Sequence, residues 1–273
     1  MMKVGYVQFR PLLGQPEANH ERLAELIPKA ADADLLVLPE LANSGYNFTS
    51  QQEADQTAES ADNGPFVLFL TEMAARHDLH IVAGLNESDG DKRFNTSVVI
   101  GPNGVTGKYR KIHLFVNEPD FFSPGDLGLP IFDLGDYKVG MLICFDWLFP
   151  EIWRILALKG ADMIAHPSNL VIPGFCQRVM PSHALINGLY TITANRIGAE
   201  GQLTFTGLST IADPQGQVLA QGPQADEDVR VVEIDLALAR DKTITPRNDR
   251  LADRRPEMYR ELIEYDRKSS DRT

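Results

Sequence analysis

VGMLICFDWLFPEIWRILALKG, residues 139–160, decides how the rest of the chain is read. The apolar run 139–143 predicts a buried parallel strand that ends on Cys144. A short turn then leads to a helix that starts near Pro150 and stops at Gly160, with proline at the first helical position and glycine just past the end. Strand, turn and helix in this order make an α/β unit. A thiol at that junction is expected near the positive end of the helix dipole and beside free backbone N–H groups. Both favour a thiolate and any oxyanion formed next to it.

Outward from this stretch, the same order of elements occurs twice. VGYVQF (4–9), a helix, LLVLPE (35–40), a helix, HIVAGL (80–85) and SVVIGPNG (97–104) form the first pass. VGMLICF (139–145), a helix, DMIAHPS (162–168), a helix, YTITAN (190–195) and STIADPQG (209–216) form the second. Glu40 and Ser168 hold equivalent places, each following a strand and a proline. Two βαβα-type halves imply two sheets, each with helices on one face. Sheets packed on each other with the helices outside give an α/β four-layer αββα sandwich.

The helices are marked by Leu23, Leu26, Ile27 and Ala30, with Pro28 shortening or kinking the first, and by Phe66, Phe69, Leu70 and Met73 after Pro65. A further helix is expected over 179–189. Residues 41–63 and 112–130 are polar or irregular and read as loops over the strand ends. Pro102-Asn103-Gly104 turns the chain into a return strand at 105–111, and 207–212, 217–220 and 229–234 complete the strand candidates. The repeat fills a single domain, 1–240. Residues 241–273 do not continue it: rich in Arg and Asp, with Met258, Tyr259, Leu262 and Ile263 to bury, they are expected to pack as a tail across a partner subunit.

Composition narrows the classes. The 273 residues are 43% hydrophobic and 23% charged, ordinary for a globular chain. A net charge of −12, from 26 basic and 38 acidic residues, argues against non-specific nucleic-acid or anionic-membrane binding. No run reaches the roughly 18 apolar residues of a membrane span. The N-terminus enters a strand pattern at once, without room for a signal peptide, and two cysteines make no disulfide framework, so a cytoplasmic setting is expected. Cys176, in IPGFCQR, reads as either packing or an incidental exposed thiol. The six histidines show no HExxH and no zinc spacing, and no glycine-rich phosphate loop is present, so neither metal nor cofactor is expected. His113, His166 and His183 read as structural, the first two close to the site because each follows a motif strand.

Three segments place a reactive side chain at the end of a strand: LLVLPE with Glu40, GKYRK with Lys111 and MLIC with Cys144. Cys144 suits attack on a carbonyl or nitrile carbon. Glu40, buried, would take the thiol proton, protonate the leaving amine and later activate water. Lys111, with the backbone N–H of Phe145, would stabilise the tetrahedral oxyanion. Read singly, these residues are a surface acid, one charge among several and an inert core thiol. Read in order and in strand context, they form a working set.

From about residue 3 to 233 the chain resembles the nitrilase, or carbon–nitrogen hydrolase, superfamily. The likeness rests on VLPE (Glu40), on KYRKIHL (Lys111) and on GMLICFD (Cys144), which match the family's glutamate, lysine and cysteine motifs. It implies a Glu40–Lys111–Cys144 triad and the αββα fold, with pairing as a homodimer through helices flanking the nucleophile. It also adds Glu118, in NEPDFFSPGD, as a second glutamate that helps hold substrate and orders the site.

The family cleaves amides, nitriles and carbamoyl groups, so the substrate must be argued from neighbours. Relatives acting on amino-acid-derived carboxylates resemble C-x-D-x-R, and here Leu148 stands in the arginine's place, removing the expected carboxylate clamp. Phe115, Phe145 and Trp147, with Phe121 and Phe122, are candidates for an apolar wall, and Ser168-Asn169-Leu170 for gripping an NH2 group through backbone carbonyls or the Asn169 amide. The reading is an amidase for a small neutral aliphatic amide, with a nitrilase as the alternative and a non-catalytic family member as the second. Arg178 or Arg196 pointing inward would overturn the neutral substrate.

Overall fold

The repeat becomes two six-stranded sheets in the computed structural model, which describes residues 1–264. In the first sheet β1 (Met2–Gln8), β2 (Leu35–Val37) and β3 (His80–Asp89) run parallel, and β4 (Lys92–Gly101) and β5 (Gly104–Arg110) return antiparallel. The second sheet starts with β6 (Ile131–Asp133), antiparallel to β7 (Lys138–Met141), and continues through β8 (Met163–Ser168) and β9 (Tyr190–Asn195), both parallel to β7. A small hairpin of β10 (Ala199–Glu200) and β11 (Leu203–Thr204) precedes β12 (Thr210–Ala212) and β13 (Val218–Gln221), which close that sheet. The chain then crosses back, and β14 (Asp228–Ile234) pairs antiparallel with β1. Strand orders β14-β1-β2-β3-β4-β5 and β6-β7-β8-β9-β12-β13 are therefore the same arrangement twice.

Helices α1 (Pro16–Leu26), α2 (Gln51–Gln56) and α3 (Pro65–His77) belong to the first half, and α4 (Pro150–Leu158) and α5 (Phe175–Asn187) to the second. Leu23 and Leu26 of α1 and Phe66, Leu70 and Met73 of α3 form one core with Leu36, Ile81 and Val98 of the first sheet. Strands β1, β2 and β3 meet β8 and β9 across the middle, so the layers run α, β, β, α. A short helix, α6 (Leu236–Arg240), ends the unit Met1–Asp241. Residues from Lys242 form a second unit, with β15 (Thr243–Thr245) paired to β16 (Asn248–Asp249), then α7 (Glu261–Glu264). Met258, Leu262 and Ile263 are exposed there, and residues 265–273 of the expected tail lie outside the described residues. Among the described residues no helix is long and apolar enough to cross a membrane.

Three local expectations change. The stretch 41–63 is not all loop, because α2 forms behind Ser50, whose hydroxyl accepts from Glu53 N–H. The helix expected from 179 begins at Phe175, immediately after Gly174 in a left-handed conformation. The strand before Cys144 stops at Met141, and Cys144 opens a five-residue 3-10 turn, Cys144–Leu148, separate from α4.

Candidate active site

Glu40 stands three residues past β2, held by backbone bonds to β3: Leu38 N–H to Val82 O and Gly84 N–H to Pro39 O. Gly84 is required by this approach, since a Cβ there would lie 2.5 Å from the Glu40 Cα. The Glu40 side chain is fully buried. Its Oε1 accepts from Asn95 Nδ2 at 2.7 Å and from Lys111 Nζ at 2.7 Å, while Oε2 is buried without a partner.

Lys111 follows β5, and strand alternation sorts its neighbours. Lys108 and Arg110 turn to the buried Glu87, whereas Tyr109 and Lys111 turn to the opposite face. The Lys111 ammonium, itself buried, also donates to Glu118 Oε1 at 2.6 Å. Glu118 sits in the 3-10 turn Glu118–Asp120, accepts from the Tyr46 hydroxyl at 2.8 Å through Oε1, and from Phe115 N–H at 3.1 Å through Oε2. Burial would lower the lysine pKa, but the carboxylates of Glu118 and Glu40 outweigh it and hold the ammonium charged. Burial pushes the Glu118 carboxyl up to about 7, against the pull of Lys111.

Cys144 takes a positive φ of 42°, a strained conformation for a residue with a side chain. Asp146 braces the turn: Oδ2 accepts from Ile143 N–H at 2.9 Å and Tyr109 hydroxyl at 2.8 Å, and Oδ1 meets His113 Nδ1 at 2.8 Å. From β8, His166 Nε2 lies 2.9 Å from the Cys144 carbonyl oxygen. Burial lowers His166 to about 4, so it is neutral and donates that bond. His183 likewise holds the Trp147 carbonyl at 2.9 Å. Burial first, then the Glu40 carboxylate, raise the Cys144 thiol well above its ordinary value, against Lys111, the Asn169 backbone N–H and the helix-end effect expected to favour the thiolate. That direction favours the protonated sulfur, in keeping with the expected transfer of its proton to a base.

The sulfur opens on a small cleft lined by Phe115, Cys144, Phe145, Trp147, Asn169, Leu170, Val171 and Ile172. Ser168, expected there, is absent from the lining: it shares a strand face with His166, and its Oγ bonds back to the His166 carbonyl at 3.2 Å. Asn169 Nδ2 is committed to the Glu40 carbonyl at 3.0 Å, leaving Oδ1 buried and unpartnered. Phe121 and Phe122 pack around Phe48 instead of on the cleft. Arg178 reaches only the Gly174 carbonyl. Arg196 is buried but committed to Glu200 and the Pro11 carbonyl. Neither arginine lines the cleft. Cys176 is buried in packing. Sequence reasoning missed Asn95, Tyr46 and the wall residues Val171 and Ile172. The polar run Asn95-Thr96-Ser97 between Phe94 and the apolar Val98-Val99-Ile100 was the available signal for the first.

Residues 3–242 match the family described as carbon-nitrogen hydrolase. The chain belongs to that family. Among relatives of this carbon–nitrogen hydrolase, a protein named nitrilase from Pyrococcus abyssi is 50% identical over 261 residues, covering 95% of this chain and 99% of its own. An (R)-stereoselective amidase from Pseudomonas sp. is 35% identical over 239 residues, covering 86% of this chain and 85% of its own. A solved structure of a mutant amidase from Nesterenkonia sp. AN1 superposes with a TM-score of 0.79 at 26% identity, covering 95% of each chain. It carries the acetamide moiety of fluoroacetamide covalently on its active site cysteine.

Proposed function

We propose that this carbon–nitrogen hydrolase is an amidase that releases ammonia from small neutral amides through a thioester on Cys144. The observation that carries the reading is a single buried ammonium, Lys111, held by Glu40 and Glu118 within electrostatic reach of the Cys144 sulfur, while Glu40 Oε2 is left unpartnered. Glu40 takes the thiol proton as sulfur adds to the amide carbon. The oxyanion faces Lys111 and the N–H of Phe145, in the first turn of a 3-10 helix where backbone donors lack intrahelical acceptors. Collapse expels the amine with the proton from Glu40, leaving the thioester. Water, deprotonated by Glu40, then releases the acid and regenerates the thiol. Asn169 Oδ1 is an acceptor suited to an NH2 hydrogen.

The apolar lining without a cation supports a neutral acyl group. The nitrilase reading is kept by the name of the 50% identical relative; it would pass through a thioimidate and consume two waters. Ammonia release from butyramide and from butyronitrile, with Cys144→Ala as control, separates the two. Release from butyramide that the control lacks supports the amidase; release from the nitrile alone replaces it. A second copy of the chain is the proposed partner of the exposed apolar residues near Met258, and sedimentation of the full chain against one lacking residues 242–273 tests that pairing.

A further inference from the structure

The second half of the chain reaches into the first at a place the reaction scheme does not use. Arg196, just past β9, is fully buried. Its Nη1 donates to Glu200 Oε1 at 2.6 Å, its Nη2 to the Pro11 carbonyl at 2.7 Å, and its guanidinium lies 3.9 Å over the Phe205 ring. The other oxygen of Glu200 accepts two successive backbone N–H groups from the loop that follows Glu40, Tyr46 at 3.0 Å and Asn47 at 2.8 Å. The Glu200 carbonyl accepts from Asn47 Nδ2 at 3.1 Å. Two glycines let these segments meet. At Gly45 a Cβ would lie 2.9 Å from Glu200 Oε1, and at Gly201 it would lie 2.9 Å from Asn47 Nδ2; both have positive φ. The Tyr46 ring is set edge-on to Phe205, and its hydroxyl donates to Glu118.

We infer that Glu200, charge-balanced by Arg196, is a positioning residue that fixes the backbone of Tyr46 so that its hydroxyl holds Glu118 against Lys111. The inference rests on the roles proposed for Glu118 and Lys111. A carboxylate that accepts two consecutive backbone N–H groups fixes both the place and the direction of that backbone, which a single contact does not. Glu118 shares its pocket with Lys111, Glu40, Tyr46 and Cys144, so loss of the phenol donor leaves its charge supported by Lys111 and the Phe115 N–H, opposed by Glu40.

The test is a double-mutant cycle with Tyr46→Phe and Glu200→Gln in the full chain. It is read by kcat and KM for butyramide and by the pH dependence of Cys144 alkylation by iodoacetamide, followed by intact mass. Each single variant is expected to lose on the order of tenfold in kcat, with KM within about twofold, and to shift the alkylation limb downward by about one pH unit, because a Glu118 that protonates more readily opposes the thiolate less. The double variant should lose no more than the worse single one. Multiplying effects, or a lowered thermal midpoint with the pH limb unmoved, overturn the inference. If Glu200→Gln does not fold, Glu200→Asp, which keeps the charge facing Arg196, replaces it in the cycle, and an unshifted limb in Tyr46→Phe overturns the inference alone. Absence of butyramide turnover in the parent protein counts against the amidase reading, while the alkylation limb still decides the positioning role.

Discussion

Arg110 and Lys111 are neighbours in the chain and end in opposite kinds of ion cluster. On the Arg110 side one buried carboxylate, Glu87, takes bonds from Arg110 through two nitrogens at 2.8 and 2.7 Å, from Lys108 at 2.8 Å and from the Thr96 hydroxyl. Burial would raise the Glu87 pKa, but these donors overcome it and lower it. Asp89 and Asp126 then take up the remaining Arg110 donors. On the Lys111 side the ratio is inverted, with one cation for two buried carboxylates. Glu118 is pushed up and Glu40 keeps an oxygen without a donor. A saturated cluster holds a strand end in place. An unsaturated one leaves a buried carboxylate oxygen without a donor, and the proposed reaction rests on that difference.

The largest expected effects separate the two sides. Lys111→Met should cut ammonia release by about 10²–10³-fold, as expected for removal of an oxyanion donor. Its stability loss should be the smaller of the pair, because the two remaining carboxylates can share a proton. Arg110→Met takes two donors from the buried Glu87, leaving Lys108 and the Thr96 hydroxyl, and should cost up to about 3–5 kcal/mol in urea unfolding. If the two substitutions gave the same ratio of activity loss to stability loss, the comparison would fail.

Stability against pH sharpens it with opposite signs. Glu118 has a folded pKa above its ordinary 4.5, so its contribution is complete below about 4.5 and is lost as pH rises through about 7. Glu87 has a depressed folded pKa, so its contribution is present above about 4.5 and is lost on acidification through the lower folded value. Unfolding midpoints from pH 3 to 8 should therefore lose their neutral-side slope in Glu118→Gln and their acid-side slope in Glu87→Gln. Exchange of the two slopes would contradict the assignment.

Much of the fold was legible because the two halves repeat both hydrophobic pattern and turn chemistry. Glu40, Lys111 and Cys144 could be located because strand ends are readable in a single sequence. Helix α2 was passed over since only Ala54 of its six residues is buried, so no apolar period announces it; Ser50 and Glu53 were a capping signal that went unused. The upward push on the Cys144 thiol was not legible for a different reason. A dipole at a strand-to-helix junction is local, whereas Glu40 and Glu118 arrive from 104 and 26 residues upstream, and burial with those carboxylates outweighs it. Ser168 failed where the internal symmetry fails, because β8 runs on through Pro167 and turns the hydroxyl back on its own strand.

The smallest effect belongs to the arginine that could have reversed the substrate reading. Arg178 bonds only the Gly174 carbonyl and lies near the Phe175 ring. Arg178→Ala should leave KM for a neutral amide unchanged and stability within about 0.5 kcal/mol. A marked rise in KM would place this side chain on the substrate and return a charged acyl group to consideration.

The account depends most on the oxygen of Glu40 that has no donor. The direct measurement is kcat for ammonia release from butyramide by Glu40→Gln, made on protein whose unfolding midpoint matches the parent. A fall of about 10²–10⁴-fold is predicted, because the amide cannot take the thiol proton. An unchanged rate would contradict the assignment of Glu40 as the base and, with it, the reading of the unsaturated cluster as the reactive one.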